Sequence, residues 1–578
     1  EILRPPIPAL ERRLILARLV QAWAGTVDRG LLPLGDEVPF RVPSSPADAV
    51  GLAADLEGLM DSLTVEGLPW DDIAGAVEAE HSRYFSLTLD FVRIAAEHWP
   101  KILADRGVSD PVERGRALVL AEAARLVRER PADPVIVAGS TGSVPATARL
   151  IAAIAGLPRG AVVLPGLDRD LDEAGWSAID PAGDGEAAAH AHPQAVLHRL
   201  VGRDFLAVER AEVVPLGTPS PAAAARAGLL SQALRPAETT DAWADLDPAF
   251  RERLARDGTA GIRVVEAADE REEALAIAVA LRETLERPDR TAALITPDRA
   301  LALRVAAELR RWGIVADDSA GEPLARSPAG RLARLAADVA ALDAKPERVL
   351  ALLAHPLVRL GLTRPEVERA ASALEIGVLR GPAPAKGFDG IADALRLART
   401  EERPHDPRPR RRLTPEDWEA ADALLVRLAV AFRDFAADED DAPDDLIAIA
   451  QRHRATCDLL MAGPEEDGQE DAAEEEGEPD ASVAVLDALF DDMELAQPGL
   501  LAGRFSDYPA FFTALARERV VSRRNASPHP RLRILGLLEA RLLTVDRVVL
   551  GGLDEGVWPP KAETDAFLNR PMRARVGL

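Results

Sequence analysis

A single cysteine, Cys457, stands in 578 residues, so no disulfide can form within the chain and no zinc site can be built from several thiolates. That scarcity fits a reducing cytosol, and the lone thiol reads most simply as a core residue. Long apolar runs are missing too: none approaches the roughly 20 residues that a membrane-crossing helix needs. With 47% apolar residues, 45 prolines and 40 glycines, the chain reads as a cytoplasmic globular protein with no membrane partner. Its length leaves room for about three or four domains. It begins at Glu1 rather than at a methionine and runs to Leu578 without a tail, which leads us to expect a segment of a longer protein.

Basic residues are outnumbered 69 to 96, for a net charge of −27, the reverse of what a general polyanion binder carries. Ten carboxylates with no base among them fall between residues 464 and 480. Almost no large apolar side chain is there to bury, so a solvated acidic linker is expected. The remainder still carries −17. Any contact with nucleic acid therefore needs local arginine clusters held in a groove.

The first 130 residues or so read as helices. Leu16, Leu19, Val20 and Trp23 form one helical stripe, and Leu52, Leu56, Leu59 and Leu63 a second. Ser45-Pro46, Asp110-Pro111, Ser220-Pro221, Thr296-Pro297, Ser327-Pro328 and Thr414-Pro415 repeat one start signal, a capping side chain followed by proline. Glu113 completes a capping box with Asp110 in this reading. At residues 135–138 the pattern changes to a buried strand, then a tight turn at Gly139, Gly142 and Ser143, a helix over 145–154 and a strand over 161–164. That is one βαβ unit of a parallel sheet. The same grammar resumes with strands at 262–265, 292–295 and 314–316 and helices at 269–285 and 297–312. Strands then vanish between about 327 and 520, and return at 532–535 and 548–550. The expected fold is α/β, with two parallel-sheet domains carrying large helical insertions.

The Gly139–Ser143 turn is the natural place to seek a phosphate, since successive backbone amides before a helix form an anion site. A P-loop needs G-x-x-x-x-G-K-[ST], and no such string occurs; Val144-Pro145 stands where the lysine would follow. A tight structural turn or a contact to a strand phosphate is the plainer reading. His190, His192 and His198 lack a cysteine partner and an orienting carboxylate, which favours an exposed loop over a metal site. G-x-S-x-G and H-E-x-x-H are absent as well. The pairs Asp317-Asp318 and Asp491-Asp492 are unremarkable in so acidic a chain, and no catalytic residue is assigned. Arginine clusters remain, at Arg408, Arg410, Arg411 and Arg412 and at Arg523-Arg524.

Three segments now carry a pattern: 135–168, VIVAGSTGSVPATARLIAAIAGLPRGAVVLPGLD, followed by His192-Pro193-Gln194; 269–324, with ALITPDRALALRVAAELRRWGI; and 533–577, with RILGLLEARLLTVDRVVLGGLDEGVWPP. In these the chain resembles AddB, the second subunit of the bacterial AddAB helicase–nuclease, in its alphaproteobacterial form. The resemblance implies a superfamily 1 helicase-like body. Residues 1–130 would be the helical insertion of a first motor-like domain, 131–257 that domain's returning part and a connection, and 258–326 the start of a second. Residues 327–525 would form its helical insertion, with the acidic linker at 464–480, and 526–578 its returning part.

It further implies a role in double-strand-break repair by homologous recombination, with an AddA-like helicase subunit and DNA ends as partners. The stretch 536–546, with Glu539 and Arg541, resembles the motif that in active relatives follows single-stranded DNA and the nucleotide state; Thr296, Asp298 and Arg299 lie in a second motif-like stretch. DNA contact is expected at Arg523, Arg524 and Arg541, the alternative for Arg541 being a structural pair with Glu539 or another core carboxylate. ATP, magnesium and, in some members, an iron–sulfur cluster belong to the full complex by resemblance; a Walker A motif would precede Glu1 and the nuclease would follow Leu578. Two other readings stay open: an active ATP-dependent DNA helicase subunit, and a non-catalytic α/β interaction protein without DNA.

Overall fold

The computed structural model describes the chain except for residues 1–2, 27–42, 44, 71–72, 74–82, 181–191, 401–406, 437–441, 465–479, 523–527 and 562–565. The acidic tract falls almost wholly outside the described residues, as do Arg523 and Arg524. The fold is mixed α/β with parallel sheets. Among the described residues no helix is long and apolar enough to cross a membrane.

Strands β1 (Val135–Ala138) and β2 (Gly160–Val163) pair in parallel, Val135 opposite Gly160. The helix Pro145–Ala155 between them buries Ala148 and Ile151 against Leu197 and Leu200, while Ile154 and Leu157 meet Leu126 of the helix Pro111–Glu129. The larger sheet collects short strands from distant parts of the chain: β3 (Ala292–Ile295), β4 (Asp317–Asp318), β9 (Leu532–Leu535) and β10 (Arg547–Leu550). Its order is β10-β3-β9-β4, parallel throughout. Helices Glu270–Leu285 and Arg299–Arg310 bury Ile277, Leu281, Val305 and Leu309 with Leu294, Leu532 and Ile534.

Five sequence expectations need correction here. Residues 262–265 form no strand: Ile262, Val264 and Val265 are exposed and lie outside every sheet among the described residues. The helix expected from Pro297 starts at Arg299, because Asp298 rather than Thr296 caps it, its carboxylate accepting from the amides of Ala300 and Leu301. The strand expected at 314–316 is shifted to Asp317–Asp318. Region 327–520 is also not strandless. β6 (Asp444–Asp445) and β7 (Ala502–Gly503) form a two-residue antiparallel ribbon, and β5 (Glu322–Pro323) pairs with β8 (Val520–Val521) at its border.

Asp110 caps its helix through the amides of Val112 and Glu113, but Glu113 turns to Arg116 instead of closing a box. The caps at Ser45, Ser220, Ser327 and Thr414 form as the sequence suggests.

The helical regions at the two ends of the sequence share one core. Leu14 and Leu16 of the helix Ala9–Thr26 and Leu56 of Pro46–Glu66 belong to the same buried cluster as Leu332, Leu428, Leu446, Leu486, Phe511 and Phe512. Arg13 bridges them, with Nε 2.8 Å from Glu57 and Nη1 2.5 Å from Glu518.

Candidate functional site

Sequence-singled residues gather at the carboxyl ends of parallel strands, where an open α/β sheet leaves a crevice for ligands. Beyond β1 the chain turns through Gly139 (φ +79°) and Gly142 (φ +65°), a left-handed geometry that glycine adopts without a Cβ clash. The turn is held on three sides. The Gly139 amide donates to Val163 O at 3.0 Å, the Gly142 amide to Ser140 Oγ at 3.3 Å, and Arg199 donates to the Ser143 carbonyl at 2.7 Å.

Beyond β9, the Gly536 to Arg541 stretch closes into successive turns: the Ala540 amide donates to Gly536 O at 3.2 Å and the Arg541 amide to Leu538 O at 3.2 Å. A Cβ at Gly536 would lie 2.5 Å from a Glu539 carboxylate oxygen, so that side chain would have to shift to admit one. Leu542 is left-handed, with φ +61°. Its Cδ1 lies 2.7 Å from where a Cβ on Gly139 would be. Two stretches about 400 residues apart in sequence therefore touch, and Arg541 is displayed, exposed, beside that contact. Among the described residues Arg541 forms no ion pair, so the pairing with Glu539 does not form.

The residues beyond β3 are occupied by structural work. Thr296 is buried and its hydroxyl accepts from the Asp298 amide at 3.0 Å. Arg299 makes a two-pronged pair with Asp318, both contacts at 2.9 Å, and donates to Gly321 O at 3.0 Å. Nothing in the sequence signalled that partnership, since the two residues sit on separate elements. Asp491 and Asp492 are likewise engaged, with Arg454 and Arg519. Gly552, beyond β10, donates its amide to Glu273 at 2.8 Å and packs beside Thr296 and Asp298.

His192 is no metal ligand candidate in this setting: Nε2 donates to Leu234 O at 2.6 Å and Nδ1 accepts from the Gln194 amide. Gln194 in turn accepts from the Asp168 amide and donates to Gly166 O, tying residues 192–194 to the chain that follows β2. His198 packs against Trp176, and burial lowers its pKa. His190 lies outside the described residues. Cys457 is buried, and burial raises its thiol pKa. Arg408, Arg411 and Arg412 are exposed ahead of the helix Pro415–Ala431, and Arg410 donates to Ala398 O. Among the described residues no group of three or more His, Cys, Asp or Glu side chains is arranged to hold a metal ion. Comparison of the sequence with family models and with curated proteins finds no match.

Proposed function

We propose that the chain is a helicase-like, DNA-binding scaffold segment of an AddB-type subunit, acting with an AddA-like motor in the processing of broken DNA ends. The observation that carries this reading is the contact between Gly139 and Leu542 at the strand ends. It brings the first and third segments of the resemblance to one crest and sets Arg541 on it. A guanidinium there, in a chain of charge −27, is suited to hold a phosphate at short range while the body repels DNA at long range.

The test is binding of single-stranded and forked DNA at several salt concentrations by the wild type and Arg541→Ala. One lost phosphate contact lowers affinity for all sequences alike and reduces the salt slope by about 0.7 to 0.9. An unchanged slope in a variant that merely melts earlier would assign Arg541 to stability. ATP hydrolysis that follows the chain through purification and is abolished by a substitution within it would favour an active motor instead.

A further inference from the structure

Apart from the crest, a cleft of about 490 Å³ opens between the helix Ala195–Val201, the short helix Glu173–Ser177 and the loop that follows Gly202. Trp176, itself buried, packs against the His198 ring, with centroids 4.8 Å apart, and under the Arg210 guanidinium, 4.7 Å from the ring centre. Arg210 is fixed further, donating to the Asp168 carbonyl at 3.3 Å and lying 3.4 Å from the exposed Glu173. Two more arginines, Arg169 and Arg203, line the same cleft. Both are exposed and, among the described residues, neither has an ion pair or a side-chain hydrogen bond. The loop is held in shape at Ala207, a non-glycine residue at φ +50°, by hydrogen bonds from the Ala207 amide to Gly202 O and from the Val208 amide to Val201 O.

We propose that this cleft binds a phosphate monoester attached to a flat, uncharged group, the chemistry of a nucleoside 5′-phosphate. Arg169 and Arg203 supply two guanidinium forks, each able to grip phosphate oxygens in pairs. The volume falls in the range of small-molecule sites. The Arg210 guanidinium, stacked on Trp176, suits a planar group; Glu173 and Glu209 also line the cleft, and the charge for the phosphate comes from Arg169 and Arg203. Such a group comes from a free nucleotide or from the 5′-phosphorylated end of a strand. The inference goes beyond the DNA-scaffold reading and does not depend on Arg541.

The experiment is calorimetric titration of the full chain with thymidine 5′-monophosphate, thymidine, and a thymidine trinucleotide with or without a 5′-phosphate. The expected result is a preference of roughly tenfold or more for the phosphorylated member of at least one pair. That preference is lost in Arg169→Ala/Arg203→Ala and kept in Arg128→Ala, an exposed arginine outside the cleft. If both mononucleotide and trinucleotide show it, the site reads the phosphate alone; if only the trinucleotide does, it reads a strand end. Equal affinities within both pairs, or a preference that survives in the double variant with its unfolding curve unchanged, would overturn the proposal. Loss of DNA binding in Arg541→Ala leaves the mononucleotide result untouched, so the two readings fail separately.

Discussion

His453 shows how burial alone sets the chemistry of a side chain. It is fully buried, with Nε2 donating to Ala333 O at 2.8 Å and Nδ1 accepting from the Tyr508 hydroxyl at 3.0 Å, among Phe435, Phe490 and Phe512. Burial pushes its pKa down to about 3. The folded state keeps the ring neutral while an unfolded histidine, near 6.5, takes up a proton. Stability from this group is therefore complete above pH 6.5 and falls as pH drops toward 3, by about 1.4 kcal/mol per unit. His453→Gln keeps a donor for Ala333 but cannot titrate. Its destabilisation relative to wild type, measured by urea unfolding, should shrink by about 2 kcal/mol between pH 8 and pH 5. A penalty equal at both pH values would mean that the folded ring takes up a proton as readily as the unfolded one.

Gly139 gives a second prediction at the same scale. Alanine there is forced into a left-handed conformation at about 1–2 kcal/mol and meets Leu542 as well. Adding Leu542→Ala should relieve part of that cost. Strict additivity in the double-mutant cycle would show that the crest contact does not exist in solution.

Elements were legible where local pattern and tertiary role agree. β1, β3, β9 and β10 are short apolar runs bounded by turn residues, and all four lie within a residue of where the sequence places them. Residues 262–265 have the same composition but find no sheet partner, because a strand is completed by its neighbour and not by its own side chains. At Thr296-Pro297-Asp298 two capping residues compete, and the choice of Asp298 depends on Thr296 being drawn into the buried strand end, a tertiary fact. The crest itself was half legible: Gly139 and Arg541 were singled out, but their adjacency rests on Leu542, whose left-handed turn has no glycine to announce it.

Arg13 is the corresponding long-range device between helices. Its partner Glu57 has a carboxylate oxygen already without a hydrogen bond. Arg13→Ala should therefore cost about 3–5 kcal/mol, since it strands a buried charge. Arg13→Met/Glu57→Met, which removes both members of the pair and leaves Arg12 with Asp61 and Asp110, should recover most of that loss in the same thermal-unfolding assay. A double variant no more stable than Arg13→Ala would show that packing rather than charge pairing is at stake.

For the whole molecule, chain order and core membership diverge. Helices near the N-terminus and helices after residue 324 contribute to one apolar cluster, whereas the four-stranded sheet has a small cluster of its own. Stability in a folded chain is distributed over such cooperative units, and hydrogen exchange reports each separately. Leu16 is fully buried on the helix Ala9–Thr26, so Leu16→Ala opens a cavity worth about 2–5 kcal/mol. If the shared cluster unfolds as one unit, that loss appears in the exchange of amides throughout the helix Tyr508–Glu518, nearly 500 residues away, to the same extent as in the mutated helix. Amides of Ala292–Ile295 should keep their protection, because Ala292 and Leu294 pack in the separate cluster of the sheet. Protection lost only around Leu16 would show that the N-terminal helices are a separate folding unit docked on the rest. Equal loss in the sheet would mean that the entire chain opens in a single step, and the crest between Gly139 and Leu542 would then be as rigid as the core beneath it.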